Sequence, residues 1–438
     1  MIRVVELPVT ETDLLSLHAA NPQRYPYLLE SRALQKGACG WDILFAFPGE
    51  VLKADSAPFL QQLDQQWQAD NCAESDSMEL PFTGGWFLFL DYELAHEIEP
   101  ILSKEKVQKS QSSSFATRIP AAVLYDRSKQ RLILVEEKGS DKIALMQQDL
   151  ENLSPLPEPV SVSVNGLHEE SSAQFLNSVQ RIKEYIVEGD VFQVNLSRQW
   201  CAELDPLEPY QLYQQLRNTN PAPFAGLVLQ DGKAIISSSP ERLVKVKSGI
   251  AATRPIAGTH PRAADTRQDQ HLSQQLLAHP KEQAEHIMLI DLERNDLGRV
   301  CQPGSIEVDE LMVLESYAHV HHIVSSVKGR LKPETTPGAV IRALFPGGTI
   351  TGCPKVRCME IIDELETEPR EAYTGSFGYL NRDGSMDLNI LIRTLMMKDQ
   401  QVTLRAGAGI VYDSIPEQEL AETRSKAKGM LLALGVSD

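Results

Sequence analysis

The stretch EAYTGSFGYLNRDGSMDLNILIRTLMMKDQQVTLRAGAGIVY, from Glu371 to Tyr412, decides the fold class. It reads as a strand meander with a turn at Arg382-Asp383-Gly384. Working outward, VRCMEIIDEL and GAVIRALF have helical spacing, and AHVHHIVSSVKGRL is strand-like. Pro280 opens a predicted helix through KEQAEHIMLIDLERNDLGR, with Gly298 near its end. Ser172–Asp190 is a predicted helix stopping at Gly189, and VFQVNLSRQW follows as a strand. A final helix is expected from about Pro416 to Leu434. Strands come in antiparallel runs rather than strict strand–helix–strand alternation, which predicts an α+β protein.

Towards the N-terminus, WDILFAF (Trp41–Phe47) and GGWFLFLDYEL (Gly84–Leu94) read as strands, and AAVLYD with RLILVEE as a hairpin pair. Pro155–Val164, PLPEPVSVSV, has linker composition. The expected division is therefore an N-terminal lobe, 1–155, and a catalytic domain, 165–438. A chain of 438 residues exceeds what one core usually organises.

Bulk properties narrow the function classes. The formal charge of −18 argues against nucleic acid, whose phosphates need a basic footprint. No run approaches the roughly 20 apolar residues of a bilayer span. MIRVVELPVTETDLL lacks the apolar core of a signal peptide. Cys39, Cys72, Cys201, Cys301, Cys353 and Cys358 are scattered, without zinc-site spacing. Reduced thiols in the cytoplasm are the expectation. Phosphate-binding loops, HExxH and GxSxG are missing from the sequence.

Five features could carry chemistry. Glu282 with Glu285, and Glu419 with Glu422, are three residues apart on predicted helices, so each pair shares a face. Two such faces would suit a hard cation such as Mg²⁺, although similar pairs are common on solvated helices. FPGGTITGCPK (Phe345–Lys355) leads into a helix, where backbone N–H groups could meet an anion. RAGAGIV (Arg405–Val411) alternates small residues, which suits close approach by a ligand or by another backbone. His321 and His322 are neighbours in a strand, so only one can face a given cavity. Arg393 and Lys426 are cations beside apolar positions, fit for a carboxylate ligand or an internal ion pair.

In this order, FQVNLSR, SSPERLV, TRPIAGTHPR, KEQAEHIMLIDLERNDLGRV, HVHHIVSSVKG, FPGGTITGCPKVRCMEIIDELE, GSMDLNILIRT, RAGAGIVYDS and ELAETRSKA resemble the chorismate-utilising enzymes. The likeness runs from about Gly189 to Gly429, with looser matches at YLLES and GGWFLFLDYE. It implies large antiparallel β-sheets packed together with helices on the outside. It implies Mg²⁺ held by Glu285 and Glu422, with Glu282 and Glu419 in support. Tyr379, Arg393, Lys426 and the backbones of Gly407 and Gly409 would grip substrate carboxylates, and Thr349 would touch the hydroxyl side. His322 would be the catalytic histidine and Glu241 the general acid. Tryptophan would bind at Leu29, Glu30 and Ser31, or those residues would be a plain strand edge.

Two positions sort the branches of the family. Hydroxylating members carry Lys where this chain has Gln193, and Gln cannot deprotonate water, so the implied nucleophile is ammonia. Many aminodeoxychorismate synthases carry Lys at Ala257, where anthranilate synthases carry Ala. FQVNLSR and the long motifs nevertheless resemble a PIAGT-bearing subgroup of the aminodeoxychorismate branch. The expectation is component I of aminodeoxychorismate synthase, making 4-amino-4-deoxychorismate for 4-aminobenzoate and folate synthesis. The alternative is anthranilate synthase component I. Isochorismate or salicylate synthesis, or an inactive paralogue, ranks lower. A glutaminase subunit supplying ammonia is the implied partner.

Overall fold

The computed structural model describes residues 2–8, 12–33, 40–54, 58–71, 79–104, 112–262, 265–316 and 320–436. Two large sheets dominate, and every pairing among the described strands is antiparallel. The first has twelve strands. Its centre runs Trp41–Ala46, Tyr27–Glu30, Phe224–Gln230, Lys233–Ser239, Thr394–Lys398, Gln401–Ile410 and Gln193–Leu204. The second has ten, centred on Ile250–Arg254, Arg242–Lys247, Met386–Asn389, Ser376–Asn381 and Gly85–Leu90.

The meander forms as its sequence predicts. Asn381 N–H donates to Ser385 C=O across the Arg382-Asp383-Gly384 turn, where Gly384 takes a φ of 83°. The helix Ser172–Glu188 starts at Ser171, whose hydroxyl accepts from Gln174 N–H. It stops at Gly189, whose φ of 85° costs glycine little. The final helix is Pro416–Ala433.

The two sequence segments do not make two separate cores. Tyr27–Glu30 pairs with Phe224–Gln230 in the first sheet, and Gly85–Leu90 pairs with Ser376–Asn381 in the second. Between the sheets lie Tyr27, Phe45, Phe87, Phe115, Val228 and Phe377. Tyr27 stacks on Phe87 with centroids 4.2 Å apart, an arrangement that adds about 0.5–1.5 kcal/mol beyond buried area. Residues 153–163 form no helix or strand, as a linker should, yet Leu156 and Val162 pack on the core.

Helices cover the outer faces. Leu14–Ala20, Pro209–Thr219 and Pro416–Ala433 pack on the first sheet through Leu15, Leu216 and Met430. Phe59–Asp70, Pro280–Val300 and Pro337–Leu344 cover the second through Leu63, Leu297 and Ile341. No described helix is long and apolar enough to cross a membrane. Cys201, Cys301, Cys353 and Cys358 are free, whereas Cys39 and Cys72 lie outside the described residues.

Candidate active site

The strand Gln193–Leu204 lies beside Gln401–Ile410, with Asn195 opposite Gly409 and Ser197 opposite Gly407. A Cβ on Gly407 would sit 2.7 Å from Asn195 Oδ1 and 2.7 Å from the Tyr373 hydroxyl. A Cβ on Gly409 would collide with Gln193 Nε2. The alternating glycines therefore make room for two amide side chains. Gln193 Oε1 and Asn195 Oδ1 are both buried without a hydrogen-bond partner. Orphaned buried acceptors cost about 1–3 kcal/mol each and mark a place where a donor is missing.

This strand is pinned from behind by buried charge. Arg370 donates to Asn195 C=O at 2.7 Å and to Ile350 C=O at 3.1 Å. Glu366 receives Arg370 and Arg405. Burial would raise the Glu366 carboxyl, but the two guanidiniums hold it below the ordinary value. The network fixes the strand and the Gly348–Ile350 turn relative to each other.

Glu241 enters this space from the start of the strand Arg242–Lys247. It is 5% exposed. Burial pushes its carboxyl up to about 7, against the Thr349 hydroxyl, the Ile256 N–H, Lys426 and Arg393. The Thr349 hydroxyl and Glu241 Oε1 face this region without completing a hydrogen bond of ordinary geometry. A carboxyl near 7 can be protonated at neutral pH, as a general acid requires.

Arg393 has a φ of 53°, a left-handed conformation that is costly for a residue with a Cβ and that clusters at working sites. Burial lowers its guanidinium pKa and Glu241 opposes that shift. The His322 ring is 2% exposed and feels the Arg393 charge. Burial, then Arg393, pushes it down to about 4, so it is neutral at physiological pH. Its neighbour His321 turns the other way, to Asp269 and Ser316. The strand alternation thus selects His322 for the site.

Lys426 Nζ donates to Gly407 C=O at 3.0 Å and pairs with Glu422 at 2.7 Å. Glu282 Oε2 would lie 2.9 Å from a Cβ on Gly258, whose φ is 70°. Gly258 also hydrogen-bonds the His322 ring through its backbone. The pair Glu282 and Glu285 is therefore carried to the His322 side, while Glu419 and Glu422 stand on the Lys426 side. Four carboxylates are the right donor type for a hard cation. In this arrangement no three His, Cys, Asp or Glu side chains among the described residues gather closely enough to hold a metal.

One expectation is corrected by the geometry. Tyr379 does not join Arg393 and Lys426. It packs edge-on to Phe82 and lines a separate cavity of about 900 Å³ with Leu29, Glu30 and Ser31. The tyrosine at the Gly407 backbone is Tyr373, six residues earlier, which the motif reading passed over. The Phe345–Lys355 stretch leads into a helix as its sequence predicts. It forms the turn Gly348–Ile350 and the short strand Gly352–Cys353, and the helix begins at Lys355. Thr349 therefore reaches the site through its side chain, not as part of a helix N-terminus. Ala257 pairs through its backbone with Ile323, and its side chain lies outside the described residues.

The sequence pattern of the family described as chorismate binding enzyme matches residues 25–432. The chain belongs to that family. It is 43% identical over 378 residues to the anthranilate synthase component I-like protein of Synechocystis, covering 86% of this chain and 78% of that one. It is 40% identical over 368 residues to aminodeoxychorismate synthase component 1 of Bacillus subtilis, covering 82% and 78%. Among solved structures, anthranilate synthase component I from Streptococcus pneumoniae superposes with a TM-score of 0.76 at 33% identity, over 97% and 94% of the two chains. The E. coli isochorismate synthase MenF, at 21% identity and a TM-score of 0.74, shares the fold. The α+β architecture of packed antiparallel sheets is that of the family.

Proposed function

We propose that this chain aminates chorismate. In the reaction, chorismate and ammonia give 4-amino-4-deoxychorismate and water. The observation that carries the reading is the pair of orphaned oxygens on Gln193 and Asn195. Ammonia has N–H donors for both, and neither amide can deprotonate water. The Arg393 guanidinium makes no ion pair or hydrogen bond with the described side chains, which suits a dianionic substrate. Glu241 gives its proton to the departing hydroxyl. Neutral His322 takes a proton from the incoming nitrogen. Lys426 and Tyr373 bracket the Gly407 backbone and orient the second carboxylate.

Mg²⁺ is proposed as the cofactor, held by Glu282, Glu285, Glu419 and Glu422. When bound, it would neutralise the ring carboxylate and withdraw electrons from the ring. Ammonia is proposed to come from a glutaminase subunit. The cavity at Leu29, Glu30 and Ser31 is proposed to take tryptophan. The chain is proposed to work in the cytoplasm.

The relatives support a second reading equally. Component I of anthranilate synthase would release anthranilate, pyruvate and water from the same substrates, and relatives of that name match over most of the chain. Incubating the purified protein with chorismate, Mg²⁺ and ammonium, then adding aminodeoxychorismate lyase, separates the two. Formation of 4-aminobenzoate supports para amination. Fluorescent anthranilate without the lyase moves the assignment to the second reading. Turnover without ammonium would overturn both.

A further inference from the structure

The segment from Gly347 to Cys353 touches two sides of the site, and one side chain inside it ties them together. On the nucleophile side, Asn195 N–H donates to Thr351 C=O at 2.9 Å, and Phe192 N–H donates to Cys353 C=O at 2.8 Å. Gln193 pairs with Cys353, and Val194 with Gly352. The Cys358 thiol donates to Gln193 C=O at 3.1 Å. A Cβ on Gly352, whose φ is 128°, would collide with that same carbonyl, so the two backbones meet where only glycine fits. On this edge the Gln193–Asn195 backbone is held by the turn.

On the acid side, Gly347 packs against Ile390 and Leu243. A Cβ there would lie 2.9 Å from Ile390 Cδ1 and 3.5 Å from Leu243 Cδ1. Ile390 N–H donates to Glu241 C=O at 3.0 Å. The Ser239 hydroxyl donates to Ile390 C=O and accepts from Glu241 N–H at 3.2 Å. Thr351 joins the two halves. It is 0% exposed, and its hydroxyl donates to Gly347 C=O at 2.9 Å. Leaving such a buried group unpaired costs about 1–3 kcal/mol, which favours this one geometry. A continuous path results: Asn195 N–H to Thr351 C=O, Thr351 hydroxyl to Gly347 C=O, Gly347 against Ile390, and Ile390 N–H to Glu241 C=O.

We propose that Thr351 is a positioning residue whose hydroxyl sets the spacing between the acceptors of Gln193 and Asn195 and the acid Glu241. The nitrogen that enters and the hydroxyl that leaves belong to one ring, so their protein contacts must keep one separation. A misplacement of about 1 Å costs about 10²-fold in such an arrangement. Without the Thr351 hydroxyl, the backbone bond from Asn195 survives, but its acceptor shifts with a turn no longer tied to Gly347. The inference rests on the amination reading and on Gln193, Asn195 and Glu241 as its contacts.

The test is steady-state kinetics of wild type, Thr351→Val, Thr351→Ser and Cys358→Ala, with ammonium and chorismate varied in turn at saturating Mg²⁺. Val keeps the shape and removes the donor, whereas Ser keeps the donor. Thr351→Val should raise KM for ammonium about tenfold, with KM for chorismate changed by less than about twofold. Thr351→Ser should stay within about threefold of wild type in both constants. Cys358→Ala releases the neighbouring grip on Gln193 without touching Thr351, and should raise KM for ammonium by about threefold. A merely structural role would lower kcat with the folded fraction and leave both KM values in place. An unchanged KM for ammonium in Thr351→Val overturns the inference, as it does in Cys358→Ala where the Val variant fails to fold. Equal rises in both constants overturn it too, as does a Ser variant with a native thermal melt that behaves like Val. A wild type that forms neither aminated product removes the amination reading itself, which is seen before any variant is compared.

Discussion

The Gln193 amide occupies the space that a Cβ on Gly409 would need. The two residues sit on neighbouring strands, and the glycine lets the amide lie flat against the sheet. Gly409→Ala should therefore displace Gln193 while leaving the core intact. We expect KM for ammonium to rise by at least about tenfold, or ~1.4 kcal/mol, with KM for chorismate changed less. Equal rises in both constants would show that Gln193 does not hold the nucleophile.

Glu241 should impose the alkaline limb of the rate. Its raised pKa, about 7, means the acid form is present below neutrality and is lost as pH rises through that value. His322, at about 4, is neutral throughout the range and adds no limb above pH 5. Glu241→Gln should lower kcat by about 10²-fold or more. A Gln variant that keeps wild-type kcat would remove Glu241 from the mechanism.

Stability should carry the same sign. Glu241 and the buried Glu293 of the helix Pro280–Val300 have folded pKa values above the unfolded carboxylate value of 4.5. The folded protein then binds more protons, so their contribution is fully present below about 4.5 and is lost as pH rises toward 7 or 8. Urea unfolding of wild type and of Glu293→Gln across pH 5 to 8 should show the variant losing less stability over that window. Parallel curves would contradict the raised value at Glu293.

The metal assignment has a direct test. Glu422 is paired with Lys426 in this structure, so cation binding must compete with that ion pair. Turnover should vanish on chelation and return with Mg²⁺. Glu285→Gln and Glu422→Gln should each raise the Mg²⁺ concentration needed for half activity. Unchanged Mg²⁺ dependence in both would exclude these helices as the ligand source.

The buried Glu366 should be the most sensitive structural position. It joins Arg370, Arg405 and Ser197 in an enclosed network. Glu366→Ala leaves two buried guanidiniums without their carboxylate, which costs about 3–5 kcal/mol. Denaturant unfolding measures this, and a loss under 1 kcal/mol would mean that water has replaced the carboxylate.

Much of the fold was legible because local signals agree with it. Gly189 ends a helix, Arg382-Asp383-Gly384 turns a hairpin, and the strand pattern around His321 and His322 points one ring each way. That the two segments share both sheets was not legible, because strand partners are chosen by long-range registry. Nothing near Tyr27 announces that it will lie beside Val228. The Tyr379 assignment failed for a related reason. Tyr373 and Tyr379 are both strand-meander tyrosines, and only packing shows which cavity each one lines.

By itself, the sequence determined the secondary structure of the catalytic half, the family, and the identity of residues such as Gln193, Glu241, His322 and Arg393. Those depend on local spacing and on side-chain chemistry, both written along the chain. Only the tertiary structure decided that Glu241 is a raised acid and that His322 is neutral. It alone left the oxygens of Gln193 and Asn195 without donors, and buried Glu293 beside Asp296. Each of those properties is a matter of desolvation and of which charges come near, and burial of that kind is created by contacts between distant segments.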